Sequence, residues 1–109
     1  MSKKDGILDL PIKKEWFDKI RSGEKTHEYR RVCPHWCRNI GIEPNDLYNV
    51  DKFRKVKTAR LRCGQIVKST DKEKTMLFEI KSISCIGGIE TDLKHKGFVF
   101  DIELGRKIE

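Results

Sequence analysis

The sequence predicts a small, mainly β protein of the α+β class. An early helix is followed by antiparallel strands that close part of the way into a barrel, with one or two flanking helices. The 109 residues are the length of one domain. Apolar residues near the start recur at helical spacing, and those of the second half alternate along the chain. We therefore expect residues 1–109 to form a single domain.

The helix is predicted over residues 13–22. Trp16, Phe17 and Ile20 form one apolar stripe at the spacing of a helix, so all three are expected to face the core. Gly23 follows the last turn and can adopt the left-handed conformation that ends a helix. The helix is therefore expected to end near Gly23, immediately before the next strand.

Strands are predicted where apolar and polar residues alternate, or where a short apolar run is bounded by turn residues. The first of them is expected to stop at Pro11. Along the longest, the alternation slips by one residue between Ile80 and Ile83, which indicates a β-bulge. The predicted strands are residues 7–10, 24–32, 56–63, 75–86 and 98–104, with pairing able to resume at 65–68 and a polar turn at 69–74.

Residues 33–51 form a long, irregular connection with room for a short helix, and connections of this length are typical of functional or mobile segments. Cys33 and Cys37 bracket His35 there, which raises the alternative of a zinc site. Their spacing is not the usual pair-and-pair arrangement, and the other two cysteines fall inside predicted strands. We therefore predict reduced thiols that pack as small apolar side chains, with no metal and no cofactor.

The charge balance favours an anionic partner. Lys and Arg total 24 against 17 Asp and Glu, a formal net charge of +7. Such a surplus attracts polyanions in general and is not specific to nucleic acid. Because the N-terminus lacks a secretory signal and no apolar run reaches the length of a membrane helix, we expect a soluble cytoplasmic protein with no membrane partner.

Four polar residues early in the predicted second strand form a candidate site. Thr26, Glu28 and Arg30 alternate along the strand and so share one face. Arg30 presents a planar fork that fits a phosphate or a base edge, and Lys25 can reach the same cleft. Glu28 accepts hydrogen bonds from an amine or a hydroxyl. The alternative is that Glu28 and Arg30 are a surface or structural ion pair.

The segment 23–30, Gly-Glu-Lys-Thr-His-Glu-Tyr-Arg, resembles the G-x-K-x-x-E-x-R motif of ASCH domains at all four specified positions. Pro11 and the apolar pair Trp16 and Phe17 are similar to the helix that precedes the motif in that family. The resemblance implies a PUA-like barrel whose basic cleft binds RNA or a nucleotide-like ligand. The binding residues that it implies are Gly23, Lys25, Glu28, Arg30, Trp36 and Arg38.

The resemblance leaves catalysis open. Some ASCH proteins hydrolyse amides of acetylated cytidine, and a related type cleaves RNA. Lys25 matches the catalytic lysine of the amidohydrolases, but Glu28 stands where their threonine is expected. A small amidohydrolase or ribonuclease is therefore the alternative function, with Lys25, Thr26 and Glu28 as its candidate catalytic residues. A purely protein-binding domain is a third.

Several further residues have two interpretations. Trp36 either stacks on a base or plugs one end of the barrel. Arg60 and Arg62, predicted to face outward, either extend a basic surface with Lys57 or Lys68 or form a solvated sheet edge. On the face of the second strand opposite Glu28, Tyr29 is expected to lie in the core.

Overall fold

The computed structural model describes residues 6–63, 75–88 and 97–108. The predicted extension at 65–68 and the predicted turn at 69–74 lie outside these residues. In chain order the elements are β1 (Ile7–Ile12), α1 (Lys14–Ser22), β2 (His27–Arg31), α2 (Pro34–Ile40), a 3-10 helix (Pro44–Asn49), α3 (Val50–Phe53), β3 (Thr58–Cys63), β4 (Thr75–Gly87) and β5 (Phe98–Lys107).

The five strands form one sheet that curls into a half-barrel, in the order β1-β3-β4-β5-β2. The predicted class, a mainly β protein with a partly open barrel, is thereby confirmed. Three of the pairings are antiparallel, as predicted, but β1 runs parallel to β3. A parallel pair needs a long crossover, and the chain between β1 and β3 supplies one that contains α1, β2, α2 and α3.

The prediction that β1 stops at Pro11 was wrong, because the strand continues to Ile12. Among the described strands β1 lies at one edge of the sheet, where it pairs with β3 alone. Proline lacks the N–H that a central strand needs, but it is tolerated on an edge. Pro11 therefore stays in the strand and turns its carbonyl toward the open side of the half-barrel.

Apolar side chains from one face of the sheet meet the helices in a single core. On the β1–β3–β4 side the register places Leu8 of β1 beside Ala59 of β3, and Ala59 beside Phe78 of β4. Phe17 and Ile20 of α1 are buried in the same cluster, so that part of the predicted helical stripe is confirmed. The predicted bulge is confirmed as register shifts in β4 on either side of Ile80.

The end of α1 is also as predicted. Gly23 has a φ of 86°, and its N–H donates to the carbonyl of Ile20. A side chain other than glycine is strained at this φ. After the turn, the N–H of Lys25 donates to the carbonyl of Lys19, which fixes where β2 begins.

The connection expected to be irregular contains α2, the 3-10 helix and α3. Arg54 links the end of this connection to its surroundings: Nε lies 2.7 Å from Oδ1 of Asp51, Nη1 donates to the carbonyl of Val56, and Nη2 donates to the carbonyl of Ile80 in β4 at 3.5 Å. The N–H of Ile83 in β4 donates to the same Asp51 oxygen at 3.0 Å. Among the described residues, no helix is long and apolar enough to cross a membrane.

Candidate nucleic-acid-binding cleft

A side-chain hydrogen bond connects β1 and β2, the strands at the two ends of the described sheet. Nη2 of Arg30 in β2 donates to the carbonyl of Pro11 in β1 at 2.7 Å. The sheet order places these strands at opposite ends, so this bond joins edges that are not paired to each other through their backbones. Arg30 therefore helps to hold the half-barrel closed.

Lys25, Glu28 and Arg30 form a cluster that we call the inner cluster. Oε2 of Glu28 lies 2.5 Å from Nη1 of Arg30, and Oε1 lies 3.7 Å from Nζ of Lys25. The three side chains are 6%, 15% and 11% exposed for Glu28, Arg30 and Lys25. The structure thus joins three of the predicted site residues around one buried carboxylate.

The sheet register explains why Glu28 is buried. Glu28 pairs with Ile102 of β5, which pairs with Ile83 of β4, and both isoleucines are fully buried. A carboxylate on such a face costs several kcal/mol to desolvate unless cations and hydrogen bonds compensate. Lys25 and Arg30 supply that compensation, and Arg30 also donates to the carbonyl of Tyr29 at 2.7 Å.

The inner cluster lies at a cleft of about 380 Å³ between β1, α1 and β2. Small-molecule sites usually have volumes of about 300–1,000 Å³, so the cleft has room for one nucleotide-sized group. Its lining combines the inner cluster with two exposed charged residues, Lys13 just before α1 and Glu15 on it. The lining residues are Pro11, Ile12, Lys13, Glu15, Trp16, Lys25, Glu28, Tyr29 and Arg30.

Two aromatic side chains flank Lys25 in this cleft. Its Nζ lies 5.3 Å from the ring centroid of Trp16 and 4.9 Å from that of Tyr29. Both aromatics were predicted to be core residues, and the structure leaves both partly exposed. Trp16 stands in the first turns of α1, beside the rim that β1 forms, and Tyr29 lies on an edge strand. For Tyr29 a local signal was available, since it lies between the motif residues Glu28 and Arg30.

The other predicted site residues lie at different distances from the cleft. Trp36 falls on α2 rather than in a loop, and the guanidinium carbon of Arg30 is 5.4 Å from its ring. Trp36 also packs against the core, which favours the plug interpretation. Gly23, Thr26 and Arg38 are exposed and lie outside the residues that line the cleft.

The cysteines show no sign of a metal centre within the described residues, where no group of three or more potential ligands is arranged to hold an ion. All four are free thiols. Burial raises the pKa of the Cys37 thiol, and the neighbouring Cys33 raises it further. Cys37 is a member of the apolar core, whereas Cys33 is only partly buried.

Comparisons with known proteins add no family assignment. The chain matches no protein-family model, no curated protein and no solved structure. The likeness of segment 23–30 to the ASCH motif thus stays an expectation from the sequence.

Proposed function

We propose that the protein is an ASCH-type module that binds RNA or a nucleotide-like ligand in the cleft between β1 and β2. One observation carries the proposal. The inner cluster places two cations and one carboxylate at a cleft that the rings of Trp16 and Tyr29 flank. The motif likeness supports the same function, and the net charge of +7 suits an anionic ligand.

The cleft combines the contacts that a nucleotide needs. Once Lys25 turns from the rings of Trp16 and Tyr29 toward a phosphate, a base can stack on either ring, an interaction worth about 1–3 kcal/mol per base. Lys25 and the exposed Lys13 at the rim supply positive charge for a phosphate. The Glu28 carboxylate accepts hydrogen bonds, for which an exocyclic amine of a base is a suitable donor.

Arg30 has a different role from the one that its motif position suggests. Its guanidinium donates to Glu28 and to the carbonyls of Tyr29 and Pro11. These bonds occupy both terminal nitrogens of the guanidinium, and the bond to Pro11 links β2 to β1. We therefore assign Arg30 to shaping the cleft, and the contacts to phosphate to Lys25 and Lys13.

The hydrolase alternative has less support. An amidohydrolase that works through a side-chain hydroxyl would need that hydroxyl beside Lys25, and the candidate, that of Thr26, is exposed and lies outside the cleft lining. Among the described lining residues there is no serine, threonine or cysteine. Binding without covalent chemistry is the function that these residues support best.

The proposal is tested by measuring binding of single-stranded RNA and of free nucleotides to the parent protein and to Trp16→Leu. Loss of one stacking partner is expected to weaken binding about 5- to 150-fold, the equivalent of about 1–3 kcal/mol. Lys25→Gln is expected to weaken it for all sequences, since phosphate contacts carry little base information.

Phe53→Leu is the matched control, because Phe53 is an exposed aromatic on α3, outside the cleft lining. It should bind as the parent does. If the parent protein binds neither RNA nor nucleotides, or if folded Trp16→Leu and Lys25→Gln bind as tightly as the parent, the proposed function is wrong.

A further inference from the structure

The outer surface of β1 and β3 carries a second charged cluster beside the cleft. Nε of Arg60 lies 3.1 Å, and Nε of Arg62 3.0 Å, from the same oxygen, Oδ1 of Asp9. The side chains are 45%, 29% and 38% exposed for Arg60, Arg62 and Asp9. We call these three residues the outer cluster.

The parallel pairing of β1 and β3 creates this cluster. Asp9 is the register partner of Arg60, and Pro11 is that of Arg62. Both arginines face away from the core, as predicted, since Leu61 between them is fully buried. Asp9 was not foreseen as their partner, because a purely antiparallel sheet gives no reason for β1 to lie beside β3.

Pro11 makes the outer cluster continuous with the cleft. It lines the cleft, its carbonyl accepts the bond from Arg30, and it is the cross-strand neighbour of Arg62. Neighbouring strands are about 4.8 Å apart, and residues two positions apart on a strand are separated by about 6.6 Å. A chain that leaves the cleft over Pro11 therefore reaches Arg62 first and Arg60 next.

The outer cluster is suited to phosphate. One carboxylate holds two guanidinium groups in place, so the cluster retains a net positive charge while both side chains lose freedom. Each guanidinium has further N–H donors besides Nε, and the partial exposure of the side chains makes these accessible to an anion. Planar guanidinium groups bind phosphate oxygens through two parallel hydrogen bonds.

We propose that the outer cluster is a phosphate subsite, and that the ligand is a single-stranded RNA segment of about three or more nucleotides rather than a free nucleotide. The inference rests on the proposed function of the cleft, which holds one nucleotide. The next two phosphates of the strand then contact Arg62 and Arg60. Such contacts add affinity and salt dependence without base preference.

The test compares a hexanucleotide RNA with a mononucleotide, each titrated against the parent and against the double variant Arg60→Gln with Arg62→Gln. The double variant is expected to bind the hexanucleotide about tenfold more weakly, as two exposed charge contacts are lost. The slope of log affinity against log salt concentration should become shallower by about 1.4, because each of the two lost phosphate contacts contributes about 0.7. Mononucleotide affinity should not change.

Two further double variants distinguish the loss of phosphate contacts from a general loss of positive charge, and thermal melting excludes a loss of stability. Lys52→Gln with Lys81→Gln removes the same charge from α3 and β4, where both lysines are exposed, and should keep the parent salt slope. Arg60→Lys with Arg62→Lys keeps the charge and should recover most of the hexanucleotide affinity. Thermal melting shows that each variant is folded.

The failures of the two proposals are distinguishable. Suppose that folded Arg60→Gln with Arg62→Gln binds the hexanucleotide with the parent affinity and salt slope, or no more weakly than Lys52→Gln with Lys81→Gln does. The outer cluster is then not a phosphate subsite, and the cleft proposal stands. If the parent binds neither ligand, the proposed function of the cleft is wrong, and the inference is overturned with it.

Discussion

The inner and outer clusters carry the same number of positive and negative charges and differ in burial. Each contains two cationic side chains around one carboxylate, and each includes a residue of an edge strand, β2 for the inner cluster and β1 for the outer. The Glu28 side chain is 6% exposed, whereas that of Asp9 is 38% exposed. Comparison of the two clusters therefore shows how burial changes the contribution of a carboxylate held between two cations.

Burial changes what each carboxylate contributes. Around Glu28, water is largely replaced by protein, so the charges depend on one another and removal of one leaves the others uncompensated. Around Asp9, water solvates each charge when its partner is absent, and salt screens the attraction. The inner cluster should accordingly determine whether the cleft exists, and the outer cluster how strongly an anion is attracted to it.

The largest difference in the free energy of unfolding is expected between Glu28→Gln and Asp9→Asn. Both changes remove one negative charge with little change in shape. Glu28→Gln leaves two mostly buried cations without a carboxylate and should lower the free energy of unfolding by about 3–5 kcal/mol. Asp9→Asn should lower it by less than about 1 kcal/mol. Urea denaturation of the parent and both variants measures the difference.

Salt provides the internal control for that comparison. The small cost of Asp9→Asn should disappear in about 1 M NaCl, where the screening length is about 3 Å, while the cost of Glu28→Gln should largely persist. Equal losses for the two variants at low salt would show that the inner cluster is as well solvated as the outer one. Burial would then not distinguish the inner cluster from the outer one.

A smaller difference in the free energy of unfolding is expected between Arg30→Lys and Arg60→Lys, both of which keep the positive charge. Lysine cannot reproduce the planar fork with which Arg30 contacts Glu28 and the carbonyl of Pro11. Loss of one such charge-assisted bond should cost about 1.5–3 kcal/mol. Arg60→Lys retains an exposed pair with Asp9 and should cost less than about 0.5 kcal/mol.

Hydrogen exchange locates the effect of Arg30→Lys. If Arg30 joins the two edge strands, the amides of β1 that pair with β3 should exchange faster in Arg30→Lys than in the parent, while those at the centre of β4 should change less. Uniform acceleration over the whole sheet would instead indicate a general loss of stability. Unchanged exchange in β1 would contradict the assignment of Arg30 to closing the half-barrel.

Local patterns were sufficient to predict most of the elements and part of the site. The helical stripe containing Phe17 and Ile20, the end of α1 at Gly23 and the bulge near Ile80 each depend on a few neighbouring residues. The proximity of Glu28 and Arg30 also follows from strand alternation alone. These features required no knowledge of how the sheet closes.

The features that were missed depend on closure of the sheet. The parallel pairing of β1 with β3 brings Asp9 to Arg60, residues that are far apart in the sequence. The approach of the edge strands places Trp16 at the cleft, where a helical pattern alone predicts a core position. Likewise, His27 had no evident partner in the sequence, but its Nδ1 lies 2.6 Å from Oδ1 of Asp101 on β5.

Asp51 and Arg54 form a third ion pair, whose carboxylate is more exposed than that of either cluster and for which the smallest effect is expected. Burial alone would raise the pKa of Asp51, but the hydrogen bonds from Arg54 and from the N–H of Ile83, with the guanidinium charge, lower it below its usual value. The side chain is 52% exposed, so its contribution to the free energy of unfolding should be below about 1 kcal/mol.

The direction of the pH dependence follows from that lowered pKa. The folded protein holds the Asp51 proton more weakly than the unfolded chain does, whose carboxyl titrates near pH 3.9. The stabilisation is therefore complete above that pH and is lost as the pH falls through the folded-state pKa. Asp51→Asn should be slightly less stable than the parent at pH 7, and the gap should narrow on acidification. Asp46→Asn, in the 3-10 helix, is the matched control. A gap that stays constant from pH 7 to pH 2 in urea denaturation would show that Asp51 acts through its shape and not through its charge.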